Sequence, residues 1–123
     1  LHPADGPGIA GCILLSGTYA IDNKNPPPNR IAYYGEDLSL YPKRQILGNI
    51  TRADFPVFIS VAELDPPNII GFVDTLKAEL TKGGHAPAYN LYKDHSHISE
   101  VMSPNTADNS VSGPLLKWMK AVK

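Results

Sequence analysis

The sequence predicts an α/β fold, a mainly parallel sheet flanked by helices, on three observations made along one stretch of chain. Residues 56–62 (PVFISVA) are rich in β-branched and aromatic side chains, as a central strand requires. Beyond them Ile69, Ile70, Phe72, Val73, Leu76 and Leu80 recur at helical spacing until Gly83-Gly84 supplies a stop. Residues 88–92 then return to a strand-like pattern, completing a strand–helix–strand unit of the kind that builds parallel sheets.

The remaining elements follow in chain order. Residues 11–17 (GCILLSG) form an apolar run bounded by glycines, which predicts a strand buried on both faces. Residues 23–29 (NKNPPPN) hold three successive prolines, which fix φ and remove amide donors, so a loop or polyproline II connector is expected. A capping signal at Ser39 and a glycine at position 48 bracket a short helix over residues 42–48. Pro66-Pro67 suits a helix N-terminus, where the missing amide costs nothing. Ser112-Gly113-Pro114 opens a final helix carrying Leu115, Leu116, Trp118, Met119 and Val122. Three strands with two or three helices are too few to cover both faces of a parallel sheet, so the chain is expected to be one part of a larger domain. The opening residues, Leu1-His2-Pro3-Ala4-Asp5, fit a mid-protein cut.

Composition excludes several classes of partner. A formal net charge of −1 over 123 residues gives no basic field for nucleic acid or an anionic membrane. No apolar run approaches the roughly 18 residues of a membrane-spanning helix. Cys12 is the only cysteine, so there is no disulfide framework or thiolate cage, and it is expected to be a small buried strand residue. No cofactor or metal is expected, and the compartment stays open.

In a parallel sheet, functional groups collect beyond the carboxyl ends of the strands. Asp65 follows the strand at 56–62 by a few residues, and His97 follows the strand at 88–92 by a similar offset. If those strands are neighbours, their loops bring a carboxylate to an imidazole, the pairing that fixes a histidine tautomer for proton transfer from a nucleophile. Two plainer readings stand beside it: Asp65 in Leu-Asp-Pro-Pro as a helix cap, and His97 as a solvated loop residue. A third groups Asp94, His95 and His97 as metal ligands, since alternation in an extended segment points both imidazoles one way.

Read in order, GCILLSGTYAID, YYGED, PVFISVAELDPP, a helix ending in GG, and DHSHISEV before a terminal helix, the chain resembles the C-terminal half of bacterial α/β-hydrolase esterases and lipases of the carboxylesterase and hormone-sensitive-lipase-like branches. The similarity covers nearly the whole chain, and the acid-then-histidine order agrees with the Ser…Asp…His order of that fold. The resemblance implies Asp65 as triad acid and His97 as general base and acid; His97 is preferred over His95 because Ile98-Ser99-Glu100 continues it into a helical turn, leaving His95 to shape the approach. Residues 23–51 then correspond to a cap or pocket insert within a single domain portion spanning 1–123. Tyr33, Tyr34 and Ile98 are expected to contact substrate, with Leu38, Tyr41 and Met102 as further lining.

No Gly-x-Ser-x-Gly and no His-Gly-Gly occurs in the sequence. The expected partner is therefore an N-terminal half of the same hydrolase carrying the serine and oxyanion hole, and the expected substrate a small ester. Alone, the chain is expected to be inert, since loss of the nucleophile costs on the order of 10⁶ in turnover. Two alternatives remain: a non-catalytic interaction domain on the same fold, and an amidase or formamidase using the same residues.

Overall fold

The computed structural model describes residues 9–50 and 55–122. The opening residues read as a mid-protein cut, and position 51 at the end of the insert, lie outside them. Three strands, β1 (Cys12–Leu15), β2 (Val57–Ala62) and β3 (Ala88–Tyr92), form one sheet in the order β1-β2-β3 with both pairings parallel. Helices flank it: α1 (Pro28–Tyr34) and α2 (Tyr41–Arg44, after a 3₁₀ turn at Leu38–Leu40) lie between β1 and β2, α3 (Pro67–Lys82) joins β2 to β3, and α4 (His97–Met102) and α5 (Asn109–Ala121) follow. This is an α/β architecture, as the alternation of apolar strands and one-faced helices requires. Among the described residues no helix is long and apolar enough to cross a membrane.

β2 is the centre of the molecule, and all six of its residues are buried. Because side chains alternate across a strand, β2 serves both faces. Val57, Ile59 and Val61 pack with Val73, Leu76 and Leu80 of α3, joined by Tyr19 and Leu47. Phe58 turns the other way to meet Trp118 of α5, ring centroids 5.6 Å apart. That indole also passes over Gly11, just before β1, where a Cβ would sit 2.8 Å from the ring and 3.2 Å from the Pro56 carbonyl oxygen, so any side chain there would push Trp118 aside.

Several boundaries differ from those the sequence predicts. β1 is half-buried rather than buried on both faces, because among the described strands it is paired on one side only. The proline run is not wholly connector: Pro27 is the N-cap and Pro28 the first residue of α1, a position that needs no amide hydrogen. The predicted helix at 42–48 shrinks to α2, and Ser39 is a capped residue, its amide donating to the Asp37 carboxylate at 3.0 Å. α5 begins at Asn109, before Ser112-Gly113-Pro114, because Asp108 accepts the Ser110 amide at 2.9 Å; Pro114 lies inside the helix. Cys12 is half-buried, and desolvation raises its thiol above the ordinary value.

Leu76→Ala removes a buried side chain from the contact between α3 and β2, and it should cost about 2–5 kcal/mol, read as a lower urea midpoint at unchanged slope. The Asp108 carboxyl is held down to about 2 by hydrogen bonds from the Ser110 and Ser103 hydroxyls and the Ser110 amide. A depressed carboxyl stabilises above its ordinary value of 3.8 and loses that contribution as pH falls through about 2. The stability difference between wild type and Asp108→Ala should therefore be full above 3.8 and close toward 2 in an acid denaturation series.

Candidate functional site

The adjacent pairing of β2 and β3 places their following loops side by side at the carboxyl rim. Three hydrogen bonds then stitch loop to loop: the Glu63 amide to the Tyr92 carbonyl at 2.9 Å, the Leu64 amide to the His95 carbonyl at 2.9 Å, and the Asp94 amide to the Glu63 carboxylate at 2.9 Å. Asp65 and His97 are thus delivered to one point by backbone geometry.

There His97 Nδ1 lies 2.7 Å from Asp65 Oδ1. Asp65 is only 5% exposed, whereas the His97 side chain is 46% exposed. The imidazole is therefore anchored on its buried edge and open to solvent elsewhere, so Nε2 can meet a hydroxyl brought to it. The plainer reading of Asp65 as a helix cap is set aside by the geometry: Pro66 is the N-cap of α3, and no side chain caps it. His97 is likewise not a free loop residue but the first residue of α4, fixed by a capping box between Ser96 and Ser99.

The other oxygen of Asp65 is held from within. Oδ2 accepts the Ala62 amide at 2.7 Å and the Ser16 hydroxyl at 2.5 Å. Ser16 directly follows β1 with φ of 41°, a backbone angle that side chains rarely adopt, and it is almost wholly buried. Its hydroxyl also contacts the Glu100 carboxyl, whose second oxygen takes the Ser60 hydroxyl from the middle of β2. Glu100 is 0% exposed. In the sequence Glu100 figures only as part of the helical turn that follows His97. The available signal was a polar residue inside an otherwise apolar strand, Ser60 in PVFISVA.

His95 does not shape an approach. It is buried, its Nδ1 3.1 Å from the Ser99 hydroxyl and its Nε2 2.7 Å from the Ser110 hydroxyl, tying α4 to the start of α5. The two histidines therefore serve different partners and do not converge with Asp94. Tyr33 is 81% exposed and edge-on to Tyr34 at 4.7 Å, while Tyr34 leans on Tyr41 at 5.8 Å, so the ring-to-ring contacts of this group lie within the insert. Ile98 is 68% exposed beside His97, with Val101 and Met102 also exposed on α4 and Leu64 exposed in the adjoining loop. An open hollow of about 360 Å³ lies elsewhere, lined by Cys12, Leu14, Ile46, Ile50, Phe55 and Val57 among others. Burial pushes the Tyr19 and Tyr92 phenols up to about 12, so neither offers a base near neutrality.

Ser16→Ala should leave the fold intact and lower stability by about 1–3 kcal/mol in chemical denaturation, because both carboxyl groups lose a buried hydroxyl partner. A loss below a few tenths of a kcal/mol would show that the hydroxyl is dispensable.

No protein-family model matches this chain, and no curated protein matches it. The reading of the site accordingly stands on the geometry of Asp65 and His97 and on the order in which the chain presents them.

Proposed function

We propose that this chain supplies the acid and the histidine of a serine hydrolase acting on carboxylic esters, in the manner of the α/β-hydrolase esterases it resembles. The observation that carries the reading is the 2.7 Å contact between buried Asp65 and half-exposed His97 at the carboxyl rim of a parallel sheet. Asp65 orients the ring and stabilises the imidazolium; His97 takes the proton of a serine hydroxyl through Nε2 and returns it to the leaving alcohol. The serine attacks the ester carbonyl, expels the alcohol and forms an acyl-enzyme, which water then hydrolyses by the same route.

Ser16 is not that serine in this reading. It has a strained strand-end backbone, as an elbow serine does, but its hydroxyl faces Asp65 Oδ2 on the far side of the carboxylate from the imidazole. The nucleophile and the oxyanion-hole amides come from another segment or a partner chain. Ile98 and Leu64, exposed and adjacent in the chain to His97 and Asp65, are the side chains that would meet the apolar part of an ester.

In the whole protein, Asp65→Asn should lower kcat toward a p-nitrophenyl ester by about 10⁴-fold, and His97→Ala by at least as much. A fluorophosphonate probe should label a serine other than Ser16. Turnover at the wild-type rate in either variant, or label on Ser16, would sink the proposal.

A further inference from the structure

The hydrogens at the floor of the site can be counted. The Ser16 hydroxyl has one hydrogen, yet its oxygen lies within hydrogen-bond distance of two carboxyl oxygens, Asp65 Oδ2 and Glu100 Oε2. Were both carboxyl groups ionised, one of those contacts would set two lone pairs against each other, and two negative charges would share one small buried site. One further hydrogen has to reside on a carboxyl group.

Its place follows from the donors. Asp65 receives hydrogens that cannot be reversed: the Ala62 amide donates to Oδ2, and Nδ1 of His97, when it carries the ring proton, donates to Oδ1. Such bonds favour the ionised carboxylate. Glu100 meets only hydroxyls, Ser16 and Ser60, which accept as readily as they donate. Glu100 is also wholly buried, and among the described residues no Lys or Arg pairs with it. Ser16 links it to the Asp65 carboxyl, and Tyr19 and Tyr92 lie within electrostatic reach of it, none of them cationic; the nitrogens of His95, near it in the chain, are turned to Ser99 and Ser110 instead. A buried carboxylate without a counter-charge is costly, whereas a buried carboxylic acid with both oxygens bonded is not.

We infer that Glu100 is a neutral carboxylic acid that donates through Ser16 to Asp65, a positioning residue that keeps the negative charge on the carboxylate facing His97. Each hydroxyl and carboxyl hydrogen is then used once: Ser60 donates to Glu100 Oε1, Glu100 Oε2 donates to Ser16 Oγ, Ser16 donates to Asp65 Oδ2, and Asp65 Oδ1 takes the imidazole N–H, while the Ala62 amide lies 3.3 Å from Ser16 Oγ as well as serving Asp65 Oδ2. The hydrogen placement stands without the hydrolase reading; the positioning role rests on it.

Infrared spectroscopy of the whole protein at neutral pH tests the placement. A carboxylic-acid C=O band is expected, shifted by incorporation of carboxyl-¹³C glutamate, unmoved by carboxyl-¹³C aspartate, and absent from Glu100→Gln. No such band, or one that follows the aspartate label, overturns the inference, and the isotope arm needs no variant to fold. For the positioning role, Glu100→Ala should lower ester kcat on the order of 10²-fold at constant KM, as expected when a reacting group is displaced by about 1 Å. Glu100→Gln, neutral and able both to donate and to accept, should recover the larger part of that loss; an equal loss in both variants overturns the role. A wild-type protein with the band and without ester turnover keeps the hydrogen placement and overturns the proposed function.

Discussion

A carboxylate taken out of water must be given hydrogen bonds by its surroundings, and much of this molecule is arranged around meeting that requirement at Asp65. The strand that precedes Asp65 contributes a backbone amide, the strand beside it contributes the Ser16 hydroxyl, and the helix after the third strand contributes an imidazole nitrogen. Each of the three strands thus places one group on the same side chain, directly or through the loop that follows it. The sheet order β1-β2-β3 is the arrangement that allows this, because Asp65 hangs from the middle strand.

The same constraint explains an asymmetry between the two faces of β2. One face is purely apolar and packs on α3, where burial of Ile59, Val61, Val73 and Leu76 supplies cohesion without direction. The other carries Phe58 against Trp118 and, one pleat along, Ser60 against Glu100. A serine in the middle of a fully buried strand is a poor choice for packing alone. Paired with the carboxyl group of α4 it becomes a directional bond that fixes how that helix sits, and with it the ring of His97 at the start of the helix. Buried polar contacts of this sort specify one arrangement where apolar surfaces would accept several.

What could be read from the sequence divides along the same line. Strand β3 falls where its pattern places it, β2 within one residue, and α3 runs from its proline pair to its glycine stop, because hydrophobic periodicity reports burial directly. Asp65 and His97 were legible because each follows a recognisable strand and parallel sheets gather such residues at one rim. Glu100, Ser16 and Ser60 were not, since their significance is a three-way meeting across separations of 40 to 84 residues that no local pattern records. The burial of His95 is hidden in the sequence for a related reason: its partners, Ser99 and Ser110, sit on helices whose mutual packing only the folded chain reveals. The start of α5 lies before the one the sequence predicts because a proline near a helix start is a louder signal than the aspartate cap before it.

The stitched loops carry a consequence for how this chain tolerates change. Asp65 and His97 are separated by 32 residues and both belong to the continuous β2–α3–β3–α4 segment, whose internal register sets their spacing. The stretch containing α1 and α2 enters before that segment and is connected to it end to end, not threaded through it. Lengthening a surface excursion adds little to the cost of closing it, since that cost grows only with the logarithm of its length. Insertions or deletions around α1 can reshape what approaches the rim while the Asp65–His97 contact keeps its dimensions, so long as Leu47 stays in the core and Gly48 keeps its bond to Glu79, the points that tie this stretch to α3.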